Sequence, residues 1–146
     1  MFYTVGEVAK QLNVAASTLR FYDKEGLLPF IERSGSGIRM FKDEDLSWLK
    51  TIECLKKTGM PIKDIKHFID CCIEGDSKIE ERLAIIQLQR DSVIKQMQEM
   101  QEMLDMLHYK CWYYETAKEA GTCTIHDKDQ MQLENIPKEY HQFIRK

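Results

Sequence analysis

Hydrophobic side chains recur in alternating steps of four and three residues between Ile79 and Tyr114. This heptad pattern predicts one continuous helix with a narrow apolar seam. A helix of about 40 residues is about 60 Å long, more than the remaining chain can cover. We therefore predict that a second copy of the protein covers the seam. The alternative is a long helix folded back on its own tail. The seam comprises Ile79, Leu83, Ile86, Arg90, Val93, Met97, Met100, Leu104, Leu107, Cys111 and Tyr114.

A second pattern, in residues 4–22, predicts two short helices joined by a tight turn. Thr4 and Glu7 have the spacing of a capping box at the start of the first helix. Asn13 suits the left-handed backbone conformation at which that helix ends. The pattern is typical of a helix-turn-helix, whose second helix lies in the DNA major groove. An ordinary helical hairpin is the alternative.

The residues that follow predict a hairpin and two more helices. Extended segments 30–33 and 38–41 flank a Ser-Gly-Ser-Gly turn, which predicts a β-hairpin. Each arm of the hairpin carries an arginine, and a hairpin beside a helix-turn-helix is called a wing. Asp43 can cap a third helix that ends before Gly59. A fourth helix is predicted from about residue 62 to residue 73.

These elements predict a mainly α fold: a winged helix-turn-helix N-terminal domain followed by a long dimerisation helix. Residues 1–75 are predicted to form the DNA-binding domain with its helix pair. Residues 76–120 form the coiled-coil helix, and residues 121–146 form a short tail.

Charge and composition limit the classes of function. The 146 residues carry a net charge of −3, but residues 1–42 hold six basic against four acidic side chains. This slight excess predicts DNA affinity from dimerisation and a few placed contacts rather than from a general basic surface. No apolar run of about 18 residues and no secretory signal occur. We expect a cytoplasmic protein with no membrane partner, whose five cysteines are thiols.

The chain resembles the MerR-type bacterial transcription regulators. The most specific stretch is Thr-Leu-Arg-Phe-Tyr-Asp-Lys-Glu-Gly-Leu-Leu at residues 18–28, and residues 4–12, 33–41 and 55–65 also match. Within the family, Cys54 corresponds to the single cysteine of the thiol-based, aldehyde-responsive NmlR/AdhR-like regulators.

The resemblance implies a homodimer held by an antiparallel coiled coil. Such proteins bind promoters whose −35 and −10 elements are poorly placed for RNA polymerase, and they bend and untwist the DNA to realign those elements. Bending a site of 20–30 base pairs costs on the order of 1–6 kcal/mol. An effector must supply this free energy by binding the two conformations unequally.

The DNA contacts are predicted on the second helix, on the wing and at the start of the fourth helix. On the second helix, arginine is suited to a phosphate or a guanine edge, and a tyrosine hydroxyl is suited to a phosphate. The predicted contacts are Ser17, Thr18, Arg20, Tyr22, Lys24, Arg33, Ser36, Gly37, Arg39 and Lys63.

Three effector hypotheses remain open. The Cys54 thiolate is suited to react with an aldehyde or another electrophile, although cysteine is also a small hydrophobic residue. A soft metal could bind Cys111, Cys123 and His126, or these side chains could simply pack in the helix and tail. The aromatic cluster at residues 111–114 could line a ligand pocket between subunits or pack against the tail.

Two other functional classes are weaker. An enzyme is not predicted, because the chain has no nucleophile elbow, no phosphate-binding glycine loop and no His-Glu-His zinc motif. No cofactor is predicted. A coiled-coil adaptor that binds protein through its N-terminal domain is the remaining alternative, and the wing arginines Arg33 and Arg39 argue against it.

Overall fold

The computed structural model describes residues 1–127 and 129–144. Within them, the elements follow in the order β1 (Phe2–Tyr3), α1 (Val5–Leu12), α2 (Ala16–Lys24), β2 (Glu32–Arg33), β3 (Arg39–Lys42), α3 (Asp43–Lys57), α4 (Ile62–Glu74) and α5 (Ile79–Ala120). Short 3₁₀ segments are Asp76–Lys78, Cys123–His126, Leu133–Asn135 and Lys138–Phe143. The mainly helical fold is confirmed.

The chain forms two compact units, Met1–Val93 and Ile94–Lys146, and α5 contributes residues to both. The predicted division into residues 1–75, 76–120 and 121–146 follows helix ends and stays a prediction. Residues 128, 145 and 146 of the predicted tail lie outside the described residues. No helix among the described residues is long and apolar enough to cross a membrane.

The ends of α1 are set by short-range hydrogen bonds. The Thr4 hydroxyl accepts from the Glu7 amide at 3.2 Å, and the Glu7 carboxylate accepts from the Thr4 amide at 3.1 Å. Asn13 ends the helix with φ +54°, and the Val14 amide then donates to the Ala9 carbonyl. The predicted capping box and left-handed turn are therefore both confirmed.

The wing is residues 32–42, in which β2 and β3 pair antiparallel. Gly37 takes φ +85° in the connecting turn, a conformation that glycine adopts without steric cost. The sheet also contains β1, which pairs with the other edge of β3 and gives the order β1-β3-β2. This strand is not predicted from the sequence, because two residues carry no periodicity.

The start of α3 differs from the prediction. Asp43 is predicted to cap the helix, but it is the first helical residue. The capping carboxylate belongs to buried Asp45, which accepts from the Lys42 amide at 2.8 Å. Asp43 instead accepts from the Tyr3 hydroxyl at 2.8 Å, so it ties β1 to α3.

One apolar core joins the elements of the first unit. Burying a leucine, isoleucine or phenylalanine side chain contributes about 1.5–3 kcal/mol, so the core fixes how α1 and α2 pack on α3 and α4. Its buried members are Val8, Ala9, Leu19, Tyr22, Leu27, Leu28, Phe41, Leu49, Ile52, Leu55, Met60, Ile65, Phe68 and Ile69.

The long helix is confirmed, and most of its predicted seam is exposed in the single chain. Ten of its eleven residues are exposed, with Val93 half-buried. The 42 residues of α5 span about 63 Å at 1.5 Å each. Apolar residues left in water along one helical face indicate a surface that another molecule covers.

In the second unit, aromatic side chains near the end of α5 pack against the tail. The Tyr109 ring is buried and stacks on Phe143 with centroids 5.3 Å apart, and Trp112 lies 5.7 Å from Tyr140. Ile136 is buried as well. Within the cluster at residues 111–114, Trp112 and Tyr113 therefore pack against the tail, whereas Cys111 and Tyr114 remain exposed. A ligand pocket between subunits stays a prediction.

Candidate nucleic-acid interface

One side of α2 presents polar and basic groups to solvent. Ser17, Arg20, Phe21 and Lys24 are all exposed, and their spacing of three, four and seven residues places them on one helical face. Within the described residues, Arg20 and Lys24 form no ion pair, so both charges are available to an anionic partner. This face carries Ser17, Arg20 and Lys24, three of the residues predicted to contact DNA.

Phe21 also belongs to this surface, although an apolar ring is more typical of a core position. Its side chain is 44% exposed. Its place between Arg20 and Lys24 on the exposed face is the signal that could have identified it. An aromatic ring there is suited to apolar contact with a thymine methyl group.

Tyr22 lies on the opposite side of α2, and the prediction that it contacts a phosphate is wrong. Its side chain is completely buried, three residues after buried Leu19 on the same helical face. Its hydroxyl donates a hydrogen bond to the Glu53 carboxylate on α3. Burial and that carboxylate raise the pKa of Tyr22, so the hydroxyl remains a donor. Tyr22 thus holds the recognition helix against α3.

The wing is joined to α2 through one carboxylate. Asp23 Oδ2 lies 2.6 Å from Arg39 Nε and 2.5 Å from Arg33 Nη2. Asp23 is 15% exposed, so solvent screens these ion pairs only in part. Two arginines and one carboxylate leave a net positive charge at the junction.

The predicted wing contacts occupy the arms and the tip of the hairpin. Arg33 also donates to the Gly37 carbonyl at 3.2 Å, which braces the turn. Ser36 and Gly37 are exposed at the tip. Ile38 was not singled out by sequence reasoning, and its side chain is 62% exposed beside them.

The remaining predicted DNA contacts flank this surface. Thr18 is half-buried in the first turn of α2. Lys63 is exposed in the first turn of α4, and in the described part of the chain it has no ion-pair partner. A helix start carries partial positive charge, so a phosphate beside Lys63 is favoured twice.

The effector candidates differ in their surroundings. Cys54 is exposed on α3, directly after Glu53. Cys111 and Cys123 are exposed, but they form no metal-ligating group with His126 among the described residues. His126 Nε2 instead lies 2.9 Å from the Thr116 hydroxyl and 3.0 Å from the Tyr113 carbonyl. The weak metal alternative at these three residues is therefore not supported.

Comparison with known proteins places this arrangement in a family. Residues 3–71 match the MerR HTH family regulatory protein, and residues 46–109 match the family described as MerR, DNA binding. An HTH-type transcriptional regulator of Haemophilus influenzae is 48% identical over 122 residues, 84% of this chain and 90% of that protein. The transcriptional regulator AdhR of Bacillus subtilis is 35% identical over 91 residues, 62% of this chain and 65% of that protein.

A solved structure shares the fold closely. HiNmlR, a MerR family regulator lacking the sensor domain and bound to promoter DNA, superposes with a TM-score of 0.79 at 48% identity. The match covers 85% of this chain and 98% of that one. The exposed α2 face, the wing and these similarities lead to one conclusion: the chain belongs to the MerR family of helix-turn-helix regulatory proteins.

Proposed function

We propose that this chain binds promoter DNA as a homodimer and regulates transcription by distorting the DNA between promoter elements. The observation that carries the proposal is the exposed α2 face beside a wing that Asp23 holds in place. The promoter DNA bound to HiNmlR supports the same partner. RNA polymerase at that promoter is the second partner.

Each group on this surface has a distinct role in the proposal. Arg20 contacts a guanine edge or a phosphate, and Lys24 a phosphate, while Ser17 and Thr18 bond to the backbone near the start of α2. The wing contributes further phosphate contacts, and Lys63 contacts the flanking backbone. The wing contacts are Arg33, Ser36, Gly37 and Arg39.

The exposed seam of α5 is the proposed dimer interface. Met97, Met100 and Leu107 are each at least 60% exposed in the single chain, and pairing two helices would remove them from water. Arg90 is the polar seam residue, and a polar residue at such a position fixes register at a cost in stability. In this proposal residues 1–75 bind DNA, residues 76–120 dimerise, and residues 121–146 are a short tail.

The proposal is tested by measuring the affinity of Arg20→Ala for the DNA upstream of its own gene. We expect a loss of about 1–3 kcal/mol in binding free energy, with the dimer intact by gel filtration. Lys95→Ala is the matched control, because Lys95 is an exposed cation of α5 outside the seam. Unchanged affinity in Arg20→Ala would contradict the assignment. The affinity of the wild-type protein for DNA should fall steeply as the salt concentration rises, because phosphate contacts release counterions. An affinity that does not depend on salt would contradict the proposed phosphate contacts.

An electrophile sensed by Cys54 is the effector that specific contacts favour. The Cys54 carbonyl accepts from the Thr58 hydroxyl at 2.9 Å, and Gln89 of α5 donates to that same hydroxyl at 2.8 Å. On the other side, the adjacent Glu53 accepts from Tyr22 of α2. A modified Cys54 therefore acts on a helical turn that touches both α5 and the recognition helix.

This effector role is tested with Cys54→Ser, and Cys123→Ser serves as the matched control because Cys123 is an exposed thiol outside the seam. We expect formaldehyde or diamide to change promoter output for the wild type and for Cys123→Ser, but not for Cys54→Ser. Mass spectrometry should find the adduct on residue 54. A full response in Cys54→Ser would contradict the role.

A further inference from the structure

Three side chains with different metal-ligating atoms meet where α4 passes to α5. His67 and Cys71 lie one turn apart on α4, and Glu81 lies in the first turn of α5. Their ligand atoms all fall within 4.8 Å of one another. We propose that His67, Cys71 and Glu81 bind a zinc-like divalent cation, with water as the fourth ligand.

One of the two distances suits such an ion directly, and the other requires a small shift. His67 Nε2 lies 3.7 Å from Cys71 Sγ, and tetrahedral zinc with ordinary bond lengths separates a nitrogen and a sulfur ligand by about 3.6 Å. His67 Nε2 lies 2.8 Å from Glu81 Oε1, and zinc requires about 3.3 Å there. Both His67 and Glu81 retain solvent exposure, so a small side-chain shift is enough.

The chemistry of the three atoms selects the class of metal. Imidazole, thiolate and carboxylate form the mixed N, S and O set that zinc accepts. Calcium and magnesium prefer oxygen ligands alone, so this set disfavours them. Cys71 is buried while His67 is exposed, which leaves one open side for a water ligand.

One neighbouring charge holds the Glu81 carboxylate in place. Lys78 Nζ lies 3.3 Å from Glu81 Oε2, the oxygen that His67 does not contact. Lys78 therefore orients the carboxylate from outside the site, as partners of metal-bound carboxylates do. When the bond to sulfur forms, Cys71 releases one proton to solvent. The thiolate and the Glu81 carboxylate then balance the two charges of the ion.

A metal here would join α4 to α5 across the turn at Gly75. Gly75 ends α4 with φ +88°. The chain then runs through the short 3₁₀ segment Asp76–Lys78 into α5. Ligands from both helices make metal binding favour one arrangement of the junction. We therefore expect zinc to raise the melting temperature of the protein.

The test is a titration of the full-length, chelator-treated protein with Co²⁺, a spectroscopic substitute for Zn²⁺, in the absence of DNA. We expect the visible bands of tetrahedral cobalt and a thiolate charge-transfer band, both removed by excess Zn²⁺. His67→Gln and Glu81→Gln should each weaken binding at least about ten-fold. Both replace partly exposed side chains, so circular dichroism should show the fold unchanged.

The cysteine variants show which thiol binds. Cys71→Ser should lose the charge-transfer band, whereas its neighbour Cys72→Ser should keep it. The triple variant Cys54→Ser, Cys111→Ser, Cys123→Ser should also keep the band. No tetrahedral cobalt spectrum in the wild type would overturn the proposal, as would loss of the band in the triple variant. Because no DNA is present, failure here leaves the promoter proposal unaffected.

Discussion

Asp23 Oδ2 on the recognition helix lies 2.6 Å from Arg39 Nε on the wing. The two parts of the predicted DNA surface are therefore oriented by each other before DNA binds. The arginine that the sequence marks as a phosphate ligand has a positioning role as well. Removing the Asp23 carboxylate would make this surface more positive but would also release the wing arginines. The two effects on DNA affinity have opposite signs.

Asp23→Asn should weaken DNA binding, although it removes a negative charge from the DNA-facing side. The amide holds Arg33 and Arg39 less firmly, and we expect a loss of about 1–2 kcal/mol in binding free energy. Fluorescence anisotropy with an operator duplex measures it. Glu25→Gln is the control, since Glu25 is a nearby exposed acid whose neutralisation should leave affinity equal or slightly higher. Tighter binding by Asp23→Asn would show that charge alone matters there.

Tyr22→Phe should lower stability and leave DNA affinity nearly unchanged. The substitution removes the hydrogen bond to Glu53 but keeps the buried ring, so we expect a loss of about 1 kcal/mol in the free energy of unfolding. Urea denaturation and anisotropy measure the two quantities on the same sample. A large loss of DNA affinity with unchanged stability would instead indicate that the Tyr22 hydroxyl contacts a phosphate directly.

Stability should fall as the pH rises above about 10. Tyr22 has a raised pKa in the folded protein, whereas an unfolded tyrosine ionises near pH 10. Above that pH the unfolded chain loses a proton that the folded chain keeps, so the contribution of Tyr22 is complete below pH 10 and declines above it. The slope reaches at most about 1.4 kcal/mol per pH unit. Denaturation from pH 8 to 11 should show a shallower decline for Tyr22→Phe.

Leu104→Asp should convert the dimer to monomers without unfolding the chain. Leu104 is a seam residue and is 44% exposed in the single chain, so a carboxylate there meets water in the monomer but an apolar partner in the dimer. Sedimentation velocity reports the change, and DNA affinity should fall with it. Met106→Asp, on the other side of the same helix, should remain dimeric. Dimers of Leu104→Asp at micromolar concentration would place the interface elsewhere.

Local patterns predict much of this fold correctly. The Thr4–Glu7 capping box, the left-handed Asn13 and the continuity of α5 all follow from residues close together in the chain. Each depends on spacing of a few residues, so no knowledge of distant neighbours is needed. The exposed seam was predictable for the same reason, since a heptad is a repeated local pattern.

The errors arise where distant residues decide. A tyrosine two residues after Arg20 on a recognition helix suggests a phosphate contact, but the partner of Tyr22 is Glu53, 31 residues away. The spacing of three residues from Leu19 places Tyr22 on the apolar face of α2, but only the packing of α3 closes that face over the hydroxyl. Phe21 shows the converse, since its apolar ring suggests a core position that the rotation of α2 does not provide.

By itself, the sequence determined the helices, the turns, the wing and the long apolar seam, because hydrogen bonds and side-chain periodicity within short segments specify them. Only the tertiary structure decided which face of α2 meets solvent, that Asp23 joins the wing, and that His67, Cys71 and Glu81 meet. The physical reason is that burial and side-chain pairing depend on the packing of whole helices in three dimensions, and a one-dimensional pattern does not record it.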